Sequence, residues 1–239
     1  MRKLITVLLI AMCLPAGSQT VITGNRRKVF ASGGGGHSFT PIQHVSCGLT
    51  TTGPSFNCSL SATAAGSSLL FVCYTLATSQ TSSPASTLVG SFSSGGLFYI
   101  PNVSTGTTSI TITNSSTNAT TSCIVAEVAG LTLTVTIDGT PVGAVFLTSG
   151  TGNAAIYTGN TTTSNPNDVI IGYLAYTTAI TGLTAGTGYT SIGVGSFSGV
   201  TATPFLEFKV VSSAGSYNPG VTWTGSSRPK GGTAAFKLQ

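Results

Sequence analysis

Most catalytic machinery is built from side chains that gain or lose a proton, or hold a metal, near neutral pH. In 239 residues this chain has four carboxylates, Glu127, Asp138, Asp168 and Glu207, and two imidazoles, His37 and His44. Hydrolysis of a glycoside would need two of the carboxylates flanking the bond, about 5 to 9.5 Å apart. Three of the four have an ordinary place in the sequence. Glu207 alternates with Lys209 along one strand face, the pattern of a surface ion pair. Asp138 precedes Gly139, as in a turn, and Asp168 follows Asn165-Pro166-Asn167, where it would cap the start of a strand. Glu127 is the unusual one, placed mid-strand between Ala126 and Val128. If buried, it must bond to a loop backbone or to a cation, and a structural role is the simpler reading.

The other routes to catalysis are thinner. Gly195-Ser196-Phe197-Ser198-Gly199 has Phe where a nucleophile elbow needs Ser. The seven-residue spacing of His37 and His44 suits no metal motif, and His44 with Cys47 is an isolated His-x-x-Cys pair without a CxxC partner. The glycine runs are not followed by a Lys and a helix, so no phosphate cradle is present. No metal, no cofactor and no catalytic residue is expected. For ligand binding, exposed aromatics on a sheet could stack sugars, and Trp223, Tyr217 and Tyr189 are the candidate contacts, with Tyr173 and Tyr176 also available. The competing expectation for Trp223, in Val221-Thr222-Trp223-Thr224, is that it packs into the sheet.

The elements that must position these groups are strands. Charged residues make up 5% of the chain, and Thr, Ser, Asn and Gly carry the polar surface instead. Thr and the β-branched apolar residues suit a pleated, half-buried surface. Ile110 and Ile112 alternate with Thr111 and Thr113; Leu206, Phe208 and Val210 alternate with Glu207 and Lys209. That period of two marks strands. Leu69–Tyr74 and Val169–Leu174 are continuously apolar, as in central strands covered on both faces. Further strands are expected near 42–49, 55–62, 86–92, 96–100, 121–129, 153–158, 187–194, 217–224 and 232–238, with turns at Ser94-Gly95-Gly96, Asp138-Gly139, Asn165-Pro166-Asn167 and Asn218-Pro219-Gly220. No stretch carries a capped amphipathic helix. About a dozen short strands with regular turns predict an all-β, two-sheet β-sandwich, jelly-roll or immunoglobulin-like. No internal repeat of fixed period is visible.

Residues 1–18 have the form of a signal peptide: basic Arg2 and Lys3, apolar Leu4 to Leu14, then small Ala16-Gly17-Ser18. The apolar stretch is too short to span a bilayer, and no later run is long enough. Export with signal removal would leave seven basic residues against four acidic ones. The one basic cluster, Arg26-Arg27-Lys28, is too small for a nucleic-acid face. It lies in a 19–38 tail with the Gly33–Gly36 run, a flexible hinge. Residues 39–239 are expected to form a single sandwich domain. Cys47, Cys58, Cys73 and Cys123 remain, an even number suited to an oxidising compartment. Of three pairings, Cys47–Cys58 stapling a hairpin is favoured; Cys73 and Cys123 then join distant strands, or stay buried thiols. Asn57, Asn102, Asn114, Asn118 and Asn160 each head an N-x-Ser/Thr sequon.

Several stretches together carry a family resemblance. Ser67–Val72, Ile124–Leu131, Ile137–Thr140, Ser164–Gly172, Gly186–Thr190 and above all Leu206–Tyr217 resemble, in order and spacing, a loosely defined family of exported bacterial and phage-encoded β-sandwich domains. The resemblance covers nearly all of residues 39–239. It implies an immunoglobulin-like or jelly-roll sandwich in a secreted or cell-surface protein, and no settled activity. The chain departs from the pattern in its cysteines and its low charge. The expected function is a secreted, non-enzymatic module with a structural, adhesive or surface-assembly role. Its partners would be itself, through the 19–38 tail, or a surface glycan, without nucleic acid. A carbohydrate-binding module is the alternative, and a hydrolase using Glu127 or Asp168 the weakest reading.

Overall fold

Alternation of apolar and polar residues gives strands one buried face, and the continuously apolar runs give strands buried on both. The computed structural model arranges them in layers. It describes residues 37–239 apart from 51–52, 76–78, 93, 117–119, 135–136, 147–154, 157–159, 177–180, 199 and 225–228. The described residues form strands and no helix. In the first half these are β1 (Thr40–Leu49), β2 (Ser55–Ser59), β3 (Ser68–Thr75), β4 (Gln80–Ser83), β5 (Thr87–Phe92), β6 (Gly95–Ile100), β7 (Ser109–Asn114) and β8 (Thr121–Ala129). The second half contains β9 (Val142–Phe146), β10 (Ala155–Ile156), β11 (Thr161–Thr163), β12 (Asp168–Tyr176), β13 (Thr181–Ala185), β14 (Thr190–Val194), β15 (Thr203–Val211), β16 (Gly215–Tyr217), β17 (Gly220–Thr224) and β18 (Lys230–Lys237).

The first half builds one sheet in the order β1-β8-β3-β6-β5 and a smaller one, β2-β7-β4. The second half repeats that order strand for strand as β9-β18-β12-β15-β14 and β10-β17-β13, and adds the pair β11-β16. All the pairings are antiparallel. The repeat lies in topology and not in sequence, which is why no fixed period shows. β3 and β12, the two continuously apolar runs, occupy the centres of the large sheets and are buried along their whole length.

The two five-stranded sheets face each other and make the all-β sandwich. Leu70 and Val72 of β3 and Ile124, Ala126 and Val128 of β8 share one core with Val169 and Ile171 of β12, Leu206 and Phe208 of β15, and Ala234 and Phe236 of β18. Burying each large apolar side chain stabilises the fold by about 1.5–3 kcal/mol relative to exposure. Tyr173, fully buried, fits between Gly90 of β5 and Gly232 of β18, where a β-carbon on either glycine would overlap its hydroxyl oxygen.

The outward faces of these sheets are not solvent faces. Over the first sheet lies a core of Leu69, Phe71 and Val125 against Phe56, Ile110 and Ile112 of the small sheet. Over the second lie Leu174, Tyr176 and Phe205 against Val221 and Trp223. A separate patch joins Ile170, Val211 and Ala235 to half-buried Tyr189 and Tyr217. The result is a sandwich with smaller sheets on its outer sides.

The favoured Cys47–Cys58 bridge forms, with a change in what it joins, and Cys73 and Cys123 are bridged rather than left as buried thiols. Cys73 and Cys123 are register partners on β3 and β8, 4.1 Å apart at Cα. Cys47–Cys58 does not staple a hairpin: β2 pairs with β7, so this bridge ties the large sheet to the small sheet above it. The unfolded-chain entropy that each removes corresponds to about 4 kcal/mol for the 50-residue separation and about 3 kcal/mol for the 11-residue one.

Expected strand positions agree closely where apolar residues mark them; 121–129 matches β8 end to end. β4, β9, β11 and β13 fall outside the expected strands, and β16 meets the expected 217–224 only at Tyr217. Gln80–Ser83 and Thr161–Thr163 consist of polar residues alone and carry no apolar alternation to mark them. The signal peptide and residues 19–36 of the tail lie outside the described residues.

Candidate functional site

All four carboxylates are buried: Asp138 is 4% exposed and Glu127, Asp168 and Glu207 are 0% exposed. Glu127 lies on β8 across from Gln43. Gln43 Nε2 donates to its Oε2 at 2.6 Å, and the Ala64 N–H donates to its Oε1 at 2.7 Å. Gln43 in turn holds Ser61 through both its amide atoms, each at 2.9 Å. Glu127 thus bonds to a loop backbone, one of the two partners that burial requires, and fixes the 61–64 loop to the first sheet.

Asp138 and Asp168 come together although 30 residues separate them. Asp138 takes three hydrogen bonds: Ser164 N–H and Asn165 N–H to Oδ2, both at 2.7 Å, and Ser164 Oγ–H to Oδ1 at 2.6 Å. Burial opposes its ionisation, but these bonds and one from Asp168 outweigh it and hold the carboxyl down at about 2. Asp168 opens β12 and accepts from Asn165 Nδ2 at 3.0 Å. Burial, with the Asp138 carboxylate beside it, pushes Asp168 up to about 7. Its Oδ2 is buried and has no hydrogen-bond partner. Asp138 pins the Ser164-Asn165 turn, and the Asn165 side chain links that turn to Asp168.

Glu207 overturns the surface ion-pair expectation. It does share a strand face with Lys209, but the outer layer covers that face at Glu207. Its Oε2 accepts from the Gly186 N–H at 2.9 Å, and its Oε1 has no partner. It sits over Gly172 of β12, where a β-carbon would lie 2.7 Å from Oε1. Burial pushes its carboxyl up to about 8, against the opposing Gly186 bond.

Of the aromatic candidates, Trp223 follows the competing expectation and packs into the sheet rather than standing exposed as a sugar contact. It is buried on β17, with its ring 5.6 Å from Tyr176 in an edge-to-face contact and its Nε1–H without a partner. Tyr173 and Tyr176 are buried too. The other two candidates come together. Tyr189 and Tyr217 are half-buried, and the Lys209 ammonium lies over both rings, 5.6 and 5.9 Å from their centroids. Sequence reasoning named the tyrosines but missed Lys209; its alternation with Glu207 gave the face without the neighbours.

The histidines stay apart from this cluster. His37 Nδ1 bonds the Gln239 carbonyl at 2.5 Å, and His44 packs against Gly193. Among the described residues no three His, Cys, Asp or Glu side chains are grouped to hold a metal. Asn114 of the sequons is buried and donates to Thr121 Oγ1 at 2.9 Å, so its side chain is unavailable for modification; Asn57, Asn102 and Asn160 are exposed, and Asn118 lies outside the described residues.

No protein-family model matches the chain, and no curated protein matches it. Among solved structures it is similar to a variant of the oxalate decarboxylase of Bacillus subtilis, at 11% identity over 93% of this chain and 78% of that chain, with a TM-score of 0.24. A likeness at that score carries no argument about function.

Proposed function

We propose that the chain is an exported β-sandwich scaffold displayed outside the cell, with an adhesive or assembly role and no catalytic one. The observation that carries this reading is the burial of every carboxylate side chain. The exterior presents no acidic side chain; its described cations are the half-buried Lys209, Lys230 and Lys237 among Thr, Ser and Asn. A surface so poor in charge repels its own copies and other neutral surfaces little, which favours close association. Three of the four carboxylates bond loop backbone, the work of a scaffold. The disulfides support export, because such bonds persist in oxidising compartments. Among the described residues no helix is long and apolar enough to cross a membrane.

The tail is the proposed contact between copies, adding a strand to an open sheet edge. Light scattering of the chain beginning at residue 19, against a variant beginning at residue 37, tests this. Self-association by the longer form and its loss in the shorter one are expected; a monomer in both cases contradicts the assembly reading.

A further inference from the structure

Lys209, Tyr189 and Tyr217 form a half-buried cluster over Ile170, Val211 and Ala235. The 5.6 and 5.9 Å separations lie near the outer limit of a cation–π contact, about 6 Å, so the rings flank the ammonium without saturating it. Both rings are held in place. Tyr217 Oη–H donates to the Ser213 carbonyl at 2.6 Å, and Tyr189 sits on a turn closed by its N–H to the Gly186 carbonyl at 2.9 Å. Each rests on Ile170, Val211 and Ala235. Exposed Thr187, Ser213 and Ser216 stand around them.

The charge at this place is uncancelled. No described carboxylate pairs with Lys209. Glu207, two residues away on the same face, is buried beneath the Gly186 turn, and at neutral pH its carboxyl stays mostly protonated. One half-buried cation between two fixed aromatic rings, with hydroxyls at the rim, offers an apolar surface and a single directed charge. That combination suits a sugar ring bearing a carboxylate: the ring packs on the tyrosines and the carboxylate bonds the ammonium.

We propose that Tyr189, Lys209 and Tyr217 bind an acidic sugar residue of a polysaccharide. The proposal goes beyond the display role and stands or falls without self-association. The test is calorimetric titration of the chain with a galacturonate hexamer, its neutral methyl ester and a glutamate hexamer. The variants are Lys209→Gln, Lys209→Arg and Lys237→Gln, with the tyrosine ring resonances followed by NMR in the unmodified chain.

Saturable binding of the galacturonate hexamer is expected, weakened roughly tenfold or more by methyl esterification or by Lys209→Gln. Lys209→Arg should restore most of the affinity, Lys237→Gln should leave it unchanged, and the shifts should centre on Tyr189 and Tyr217. Absence of binding, equal affinity for the glutamate hexamer, full affinity in Lys209→Gln, or shifts elsewhere on the chain would each overturn the site. The NMR readout does not depend on how any variant folds.

Discussion

The two halves of the molecule share a strand order but hold it with different chemistry. In the first half, Cys47–Cys58 and Cys73–Cys123 tie large sheet to small sheet and strand to strand, and the lone carboxylate, Glu127, has a donor on each oxygen. The second half has no cysteine and holds three buried carboxyls, of which Asp168 and Glu207 are pushed towards their neutral forms. The same topology is thus locked covalently on one side and by retained protons on the other. The first lock answers to reductant, the second to pH.

The largest expected effect breaks the covalent side. Replacing Cys73 and Cys123 together by Ser should cost about 4 kcal/mol of unfolding free energy, and replacing Cys47 and Cys58 about 3 kcal/mol, read by denaturant titration. Equal stability with and without reductant would contradict the assignment. A smaller effect tests the shared core that couples the halves. Gly232→Ala should overpack Tyr173 and cost about 1–3 kcal/mol in the same assay, with Gly90→Ala alike.

The pH dependence sharpens the comparison. The folded state holds the Asp168 and Glu207 protons more tightly than the unfolded chain does. Their stabilisation is therefore complete below about pH 4, the unfolded carboxyl range, and is lost as pH rises through about 7 for Asp168 and about 8 for Glu207. Asp138 works with the opposite sign: its contribution is present above about pH 4 and is lost as pH falls towards about 2. Melting temperature should decline between about pH 5 and 8.5, and Glu207→Gln with Asp168→Asn should flatten that decline. A profile in the double variant that matches the unmodified chain would break the account of the second half.

How far the sequence led depended on whether the signal was local. Ile110 and Ile112 face inward as their alternation predicts, and the apolar runs at β3 and β12 lie at the sheet centres. The Cys47–Cys58 pairing was legible from its short spacing, whereas Cys73–Cys123 needed the fold, which sets β3 beside β8. The readings failed where a second layer intervened. Period two separates Glu207 from Phe208 correctly, but it cannot tell a solvent face from one covered by another sheet. Trp223 is hidden for the same reason. Asp138 and Asp168 meet through a turn and a strand start brought together by the fold, and no spacing in the chain announces it.

The central claim is that the chain's acids are internal and structural. With only four carboxylates, carboxyl carbons labelled with 13C can be followed one by one in an NMR pH titration. The account predicts that Asp138 titrates at about 2, Asp168 at about 7 and Glu207 at about 8. Asp138, Asp168 and Glu207 titrating together near about pH 4, as solvated acids do, would contradict it.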